Sequence, residues 1–210
     1  MKILSTNIAE QRTVKWRGKN VKTGIFKCPV EEAIYLGKED VDKDEVTDRR
    51  YHGGIFKACY LFSSEYYAYW KNLYPNLDWQ YGMFGENLTV SGMDDSKIMV
   101  GSIYQTGTAK VQITIPREPC FKLGLKFGTQ KILKQFIQFA NPGTYVRIIE
   151  EGQVAIGDDM QLIEESDNPV SVKDFFNLFY LAEKNEQHIN NLLDIENLPI
   201  KMKIKLASYL

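Results

Sequence analysis

The chain has 210 residues, of which 44% are hydrophobic and 25% charged, a composition typical of a globular protein with one domain or one domain and an appendage. Its 26 basic and 27 acidic side chains give a formal net charge of −1, which gives no reason to expect a nucleic acid or a membrane as partner. The first residues lack the pattern of a signal peptide, and no stretch reaches the roughly 18 apolar residues of a membrane-spanning helix. These features predict a cytoplasmic protein.

The cysteines indicate a reducing compartment. There are three, Cys28, Cys59 and Cys120, and they lie far apart without a Cys-x-x-Cys pair. Disulfide frameworks use even sets of cysteines, and structural zinc sites use closely spaced pairs. The usual zinc-knuckle spacing is therefore excluded.

Short strand patterns open the chain, beginning with residues 1–8. Residues 22–27 then place two lysines and a threonine around Gly24. Backbone amides and ammonium groups of such a turn can cradle an anion, although an exposed hairpin is the commoner explanation. The candidate anion ligands in this turn are Thr23 and Lys27.

Residues 48–58 form the densest cluster of polar side chains in the sequence. Two adjacent glycines let the backbone approach a ligand closely, and three cations can pair with phosphate. The histidine can donate to a ligand or simply cap a loop. The candidates in this segment are Arg49, Arg50, His52, Gly53, Gly54 and Lys57.

The next two segments predict a helix and a polar loop. Apolar side chains recur at helical spacing from Tyr66 to Tyr74, before Pro75, which predicts a helix capped by Ser64. A glycine-punctuated loop then presents Glu86 and Asn87 ahead of a strand. These two side chains offer acceptors and donors to a heterocyclic ligand, while an Asx-type turn is the structural alternative.

Residues 113–123 contain the feature with the most chemical potential. Alternation places Val111, Ile113 and Ile115 on one strand face, and Pro116 ends the ladder. A second proline immediately precedes Cys120, so the backbone there is expected to be stiff. A rigid loop at a strand end suits a metal ligand or a nucleophile, and a buried structural cysteine is the alternative.

Further short strands, with helices outside them, complete the first 165 residues. The pattern predicts a helix over residues 132–140, a hairpin joining residues 144–149 to 153–156, and a strand over 160–163. Many short strands at regular spacing indicate a mainly β fold, a closed or nearly closed β-barrel with peripheral helices.

The remaining residues, 166–210, are expected to form a C-terminal appendage of three helices after a polar linker at 164–169. Ser171-x-x-Asp174 is a capping box, residues 187–193 are apolar at helical spacing, and Pro199 opens a third segment. Helices this short need a surface to dock on. They are expected to pack on the barrel of residues 1–165 or on a second copy, which makes a homodimer a possible assembly.

Taken together, the polar motifs resemble the MOSC family, named after the C-terminal domain of molybdenum cofactor sulfurases, and specifically its stand-alone YiiM-like branch with a three-helix tail. The most specific segments are Glu86-Asn-Leu-Thr89 and Pro116-Arg-Glu-Pro-Cys120. The chain departs from the family pattern at Lys43, Ser102 and Thr144, and none of these positions alters the Cys120 segment. The other segments that carry the resemblance are residues 22–25, 48–58, 143–147 and 157–158.

The resemblance implies a β-barrel that holds a molybdenum–pterin cofactor, with the Cys120 thiolate as the protein's ligand to the metal. It also implies reduction of small N-hydroxylated compounds, such as hydroxylated nucleobases and amidoximes, with His52 and Glu86 as catalytic partners of Cys120. Pyridoxal phosphate binding is a label of the family as a whole. Within this cofactor site, the positive side chains are candidates for the phosphate of the pterin: Lys27, Arg49, Arg50, Lys57 and Arg117. Glu86, Asn87 and His52 are candidates for its ring edges or for proton delivery to the substrate. Thr23, Gly53 and Gly54 complete the predicted cofactor-binding residues.

An external electron-donating reductase is implied as well, because the chain has neither a Gly-x-Gly-x-x-Gly fingerprint nor cysteines for an iron–sulfur cluster. Two alternatives stay open at this point. In a sulfur carrier, Cys120 would hold a persulfide and needs a positive field, which Arg117 could supply. In a cofactor carrier, the pterin would be bound without any reduction.

Overall fold

The structure is a computed structural model that describes residues 1–47, 49 and 52–210. A sheet of eight strands forms its centre, and two further pairs of strands lie outside that sheet. The strands of all three sheets are β1 (Lys2–Ile8), β2 (Arg12–Trp16), β3 (Lys19–Thr23), β4 (Cys28–Val30), β5 (Ile34–Leu36), β6 (Cys59–Ser63), β7 (Leu88–Ser91), β8 (Ile103–Thr106), β9 (Ala109–Pro116), β10 (Thr144–Glu150), β11 (Gly152–Val154) and β12 (Met160–Glu164). The two outer pairs are β2 with β3 and β5 with β11. The helices are α1 (Tyr67–Leu73), α2 (Phe121–Lys126), α3 (Lys131–Phe139), α4 (Val172–Tyr180), α5 (Glu186–Leu193) and α6 (Ile200–Ala207).

Strand β9 lies inside the large sheet, as its alternating pattern predicts. Val111, Ile113 and Ile115 are buried, and β9 is hydrogen-bonded on one side to β8 and on the other to β10. The strand ends at Pro116, whose missing amide hydrogen cannot extend the ladder. The polypeptide therefore leaves the sheet just before Cys120.

The sheet is open in its hydrogen-bonding order, which runs β12-β8-β9-β10-β6-β7-β1-β4. An isolated bridge joins Lys2 to Asp159, next to β12, and the amide of Met160 donates to the carbonyl of Met1 at 2.9 Å. No ladder closes the ring within the described residues. The mainly β fold with peripheral helices is confirmed, but the closed barrel is not found, because strand neighbours are set by non-local pairing that spacing alone does not encode.

The predicted hairpin after residue 144 is wrong. Strand β10 pairs with β9 along its length and with β6 only at residues 144–146, and β11 turns away from its remaining free edge. The partner of β11 is β5, with Val154 opposite Ile34. Both of these side chains are buried in the main core.

Helix α1 begins at Tyr67, and a short 3₁₀ turn over Ser64–Tyr66 precedes it. The predicted cap is wrong, because the hydroxyl of Ser64 donates to the side chain of Glu65 at 3.2 Å and not to the helix. The predicted apolar stripe does pack into the core through Trp70, which is fully buried. This side of the sheet has an aromatic core in which the ring of Trp70 stacks on that of Phe136.

The three C-terminal helices pack against one end of the sheet. Helix α4 has the expected cap, since the amide of Asp174 donates to the hydroxyl of Ser171 at 3.0 Å. Phe175 and Phe176 are fully buried. A third core cluster combines Ile115 of β9 with side chains of all three tail helices. The division into residues 1–165 and 166–210 remains a prediction.

Deleting residues 170–210 is expected to leave the sheet folded but to expose apolar surface that the tail now covers, including the side chain of Ile115. The β-rich circular dichroism signal should persist, while binding of a hydrophobic dye should rise. Loss of that circular dichroism signal would show that the tail belongs to the folding unit of the sheet.

Candidate functional site

A cleft of about 90 Å³ opens where β9 ends. Five segments form its walls, namely residues 23–27, 44–47, 52–60, 85–87 and 117–122, with Tyr145 on β10. Four of these segments adjoin strands of the large sheet, namely β4, β6, β7 and β9, which anchor them beside the cleft. Residues 44–47 are held instead by hydrogen bonds of the Asp44 carboxylate. The sequence motifs that lie far apart in the chain therefore meet at one place.

Most of the residues predicted for the site line this cleft. They are Thr23, Lys27, His52, Gly53, Lys57, Asn87, Arg117 and Cys120.

The other predicted residues have different positions. Glu86 is fully buried behind the cleft wall, and Gly54 lies outside the lining. Arg49 is exposed and forms a hydrogen-bonded ion pair with Asp40, which raises the pKa of its guanidinium. The charge of Arg49 therefore lies at the protein surface and not in the cleft. Arg50 lies outside the described residues.

Cys120 is half-buried at the start of α2 and faces the cleft. Its carbonyl oxygen accepts the amide hydrogen of Leu123 at 2.9 Å, which fixes the first turn of the helix. The next residue, Phe121, stacks on Trp16 of the β2–β3 hairpin with ring centroids 5.5 Å apart. The thiol is therefore accessible while the backbone on both sides of it is held.

Arg117 is buried, 4% exposed, three residues before this thiol. Its guanidinium carbon lies 5.4 Å from the ring centre of Tyr60 and 5.3 Å from that of Phe136. Burial disfavours the charge of its guanidinium, whereas Tyr60, Tyr145 and Cys120 act in the opposite direction and raise its pKa. The nitrogen Nη1 has no hydrogen-bond partner among the residues that the structure describes. A buried cation with an unused donor is costly unless an anion completes its environment.

Lys27 and Asp44 form a buried ion pair on another wall of the cleft. The carboxylate of Asp44 also accepts the amide of Ala9 at 2.8 Å and the side-chain amide of Asn87 at 2.9 Å. These contacts satisfy the charges of both partners within the protein. Lys27 therefore offers much less free positive charge to a ligand than Arg117 does.

Glu86 fixes the loop from residue 82 to 87. Its carboxylate accepts the amides of Gly82 and Phe84 at 2.9 and 3.0 Å and the hydroxyl of Thr89 at 2.9 Å. The hydroxyl of Tyr67 donates to it as well. With these donors its oxygens are engaged inside the protein, and its role is to position the adjacent Asn87.

Two glycines let these loops pack together. Gly85 has a φ of +80°, and a Cβ atom there would lie 2.6 Å from Cδ1 of Ile25. A Cβ atom at Gly24 would overlap the carbonyl oxygen of Glu45. Only glycine permits such close contact between the walls.

Two charged side chains of the cleft, Lys122 and Glu118, are not predicted from the sequence motifs. Lys122 is buried, and its ammonium donates to Thr47 at 3.0 Å. Burial lowers the pKa of Lys57, while Glu118 and Cys120 oppose that shift and Lys205 adds to it. Glu118 itself lines the cleft. Lys122 and Glu118 flank Cys120 in the chain, and this proximity is the signal that could have identified them.

Lys126 holds two of the walls together from α2. Its ammonium donates to the carbonyls of Lys27 at 3.2 Å and Gly82 at 2.6 Å. Burial lowers its pKa to about 8. It therefore acts as a cross-link between loops within the fold.

The cleft suits an anionic ligand with a soft metal centre. Arg117 supplies a buried charge and an unused donor, Lys57 and Lys122 add positive charge, and Cys120 offers the softest ligand atom that a protein side chain has. Within the described part of the chain, no three side chains of His, Cys, Asp or Glu cluster as they would for a metal held by the protein alone. A metal here would need most of its ligands from a cofactor.

Below Arg117, Asp95 supports the backbone of this region. Its carboxylate accepts the amide of Gly143 at 2.7 Å, and the carbonyl of Gly143 accepts the amide of Arg117 at 3.3 Å. Asp95 is fully buried, and its Oδ1 has no partner among the described residues. Burial raises the pKa of this carboxyl to about 7, although the Gly143 amide opposes the shift.

Replacing Asp95 by asparagine is expected to stabilise the protein more at pH 8 than at pH 5, by about 2 kcal/mol. The native pKa lies above the unfolded value, so wild-type stability falls as the pH rises from about 4 toward 7, whereas asparagine cannot ionise. Urea unfolding at the two pH values measures the difference. Asp94→Asn, at the exposed neighbour, is the control and should show no such gain. Parallel pH dependence of wild type and Asp95→Asn would contradict the assignment.

Comparisons with known proteins assign this chain to a protein family. The model of the MOSC domain matches residues 48–161. An uncharacterised protein, YflK of Bacillus subtilis, is 32% identical over 191 residues, which cover 91% of this chain and 86% of YflK. The chain therefore belongs to the MOSC domain family.

Two further relatives bear on fold and function. The crystal structure of YiiM from Geobacillus stearothermophilus superimposes with a TM-score of 0.83 at 28% identity, covering 100% of this chain and 98% of that one. A protein named reductase from Gibberella moniliformis is 29% identical over 150 residues, which are 70% of this chain but only 27% of that protein.

No helix in the described residues is both long and apolar enough to cross a bilayer.

Proposed function

We propose that this protein binds the molybdenum cofactor in the cleft and reduces small N-hydroxylated compounds, with Cys120 as the ligand to molybdenum. The observation that supports this proposal most is the juxtaposition of Cys120 with Arg117, whose buried Nη1 has no hydrogen-bond partner among the described residues. Membership of the family named after molybdenum cofactor sulfurase agrees with it.

Cys120 provides the soft thiolate that a sulfur-ligated metal centre prefers. The end of β9 and the first turn of α2 hold its backbone, so the sulfur does not depend on a mobile loop for its position. When bound, the cofactor supplies two-electron redox chemistry at the metal. The protein's own contribution is the ligand, its orientation and the charge around it.

The phosphate of the pterin is assigned to Arg117, Lys57 and Lys122. Arg117 and Lys122 are buried cations of the cleft wall, and Lys57 lies with its ammonium 5.5 Å from the ring centre of Tyr145. Lys27 is less suited, because Asp44 neutralises it. Asn87 and Thr23 remain candidates for the edges of the pterin ring.

Cleavage of an N–O bond consumes two electrons and two protons and releases water. His52 lines the cleft and is the candidate proton donor. Glu86 is better placed to hold Asn87 and its loop than to deliver protons, since its oxygens accept hydrogen bonds from the backbone and from Tyr67 and Thr89. We therefore assign Glu86 a positioning role.

The electrons are assigned to a separate reductase partner. The relative named reductase supports a link between this domain and redox chemistry. Within the described residues, the structure offers no cysteine cluster for an iron–sulfur centre, because Cys28, Cys59 and Cys120 are all free thiols.

The test is turnover of an N-hydroxylated base or of benzamidoxime by protein produced in a cofactor-competent host, with an artificial electron donor. Reduction of the substrate by the loaded protein is the expected result. Bound molybdenum without turnover would indicate a cofactor carrier. A mass increment of about 32 Da on Cys120, without molybdenum, would indicate a persulfide-forming sulfur carrier.

A further inference from the structure

The C-terminal tail reaches the cleft through one ion pair. Lys205 of α6 donates from its ammonium to Oε2 of Glu118 at 2.6 Å, although 87 residues separate them in the chain. Glu118 lines the cleft and lies two residues before Cys120. The tail is therefore part of the surroundings of the thiol and not only a cover for the sheet.

The geometry of α4 and α6 holds this lysine in place. The ammonium of Lys205 lies 3.7 Å from the ring centre of Phe179, a cation–π contact within the tail. The ring of Phe179 in turn contacts that of Phe175, which is fully buried. Helices α4 and α6 thus hold Lys205 in place beside Glu118. The Oε2 atom of Glu118 accepts a hydrogen bond from this lysine.

Glu118 differs from Asp44, an acidic side chain on another wall of the cleft. Asp44 is neutralised by Lys27 inside the protein. Glu118 is part of a surface pair with side-chain exposures of 39% for itself and 35% for Lys205, so water reaches its carboxylate. A carboxylate at the cleft next to the thiol attracts cations and hydrogen-bond donors and repels anions.

We propose that Glu118 is a specificity-determining residue of the cleft, positioned by Lys205 of the tail, and that it selects substrates with a cationic or N–H-donating group beside the reacting atom. Amidoximes have such a group, because an amino nitrogen is attached to the same carbon as the N–O nitrogen. N-hydroxylated compounds with a carboxylate at that position are disfavoured. The substrate class rests on the proposed function, whereas the electrostatic role of Glu118 does not.

The first experiment uses the full-length protein without cofactor. Cys120 is modified with a cationic and, separately, an anionic methanethiosulfonate of similar size, and the rates are read by mass spectrometry of the Cys120 peptide. Glu118→Gln should shift the ratio of cationic to anionic rates about tenfold toward the anionic reagent, because one charge near the thiol acts on the two reagents with opposite signs. Lys205→Met should shift the ratio the other way, since Glu118 then loses its neutralising partner.

The rate ratio separates an electrostatic role from a structural one. A change in the accessibility of Cys120 alters both rates together and leaves their ratio unchanged. Glu150→Gln, in the exposed pair with Lys110, and Lys201→Met, exposed on α6, are the matched controls and should keep the wild-type ratio. A Glu118→Gln ratio within about twofold of wild type, in a protein with unchanged melting temperature, overturns the proposal.

The second experiment uses the cofactor-loaded protein with benzamidoxime and an analogue that has a carboxylate on the ring. Glu118→Gln should raise KM for the uncharged amidoxime and lower it for the anionic analogue. Equal KM changes for both substrates would overturn the substrate selection. If neither protein turns over any substrate, the proposed function fails, while the reagent ratio still decides the role of Glu118.

Discussion

Replacing Cys120 by serine is expected to abolish reduction of N-hydroxylated substrates, with a loss of at least about 100-fold. Serine exchanges a soft, readily ionised ligand for an alcohol that stays protonated near neutral pH, so ligation of molybdenum should fail. The fold should hardly change, because Cys120 is only half-buried and the two side chains are similar in volume. The rate with an artificial electron donor and the urea-unfolding midpoint are the two measurements.

The other cysteines are the controls for that substitution. Cys28→Ser should keep the activity, because Cys28 lies outside the cleft lining and makes only weak sulfur contacts, one of them with Gln80 at 3.4 Å. Cys59 is buried on β6, where burial also raises the pKa of its thiol. Cys59→Ser should cost about 1–3 kcal/mol of stability and leave the rate per folded molecule unchanged. Activity retained in Cys120→Ser would redirect the search to His52 and its neighbours.

Replacing Arg117 by methionine is expected to weaken cofactor binding about 10- to 100-fold while costing little stability. The guanidinium is buried, and its Nη1 has no hydrogen-bond partner in the part of the chain that the structure describes. Its removal therefore takes away the cost of an incompletely paired charge together with its aromatic contacts. We expect the free energy of unfolding of the cofactor-free protein to change by less than about 1 kcal/mol. Cofactor content after purification and chemical denaturation measure the two effects.

Lys27→Met is the matched control for Arg117→Met, because it removes a buried cation of the cleft that is already paired with a carboxylate. Lys27 is paired with Asp44, and its loss leaves that carboxylate buried with one cation fewer. This substitution should cost about 3–5 kcal/mol of stability. If Arg117→Met destabilises the cofactor-free protein as much as Lys27→Met does, the guanidinium serves the fold and is not reserved for a ligand.

Local patterns in the sequence predict much of this molecule. The alternation of β9 and its end at Pro116 are confirmed, and so are the cap at Ser171 and the mainly β fold. The motifs that contain Thr23, His52, Asn87 and Cys120 do converge on one cleft. Each of these features follows from side-chain spacing or from residues with restricted backbones, which act within a few positions of the chain.

The remaining features depend on contacts between distant parts of the chain. Strand β11 pairs with β5 and not with β10, and this pairing places Val154 and Ile34, which lie far apart in the chain, together in the main core. Whether a lysine is free for a ligand depends on its partner, and the sequence does not show that Asp44 neutralises Lys27. The approach of Lys205 to Glu118 likewise arises from the docking of the tail.

Elemental analysis of molybdenum tests directly whether Cys120 binds the metal. It compares wild type, Cys120→Ser and Cys28→Ser, each purified from a cofactor-competent host. We expect molybdenum in proportion to protein for wild type and Cys28→Ser, and a loss of the metal in Cys120→Ser. Equal molybdenum in all three proteins, or none in the wild type, would contradict the assignment of Cys120 as the metal ligand.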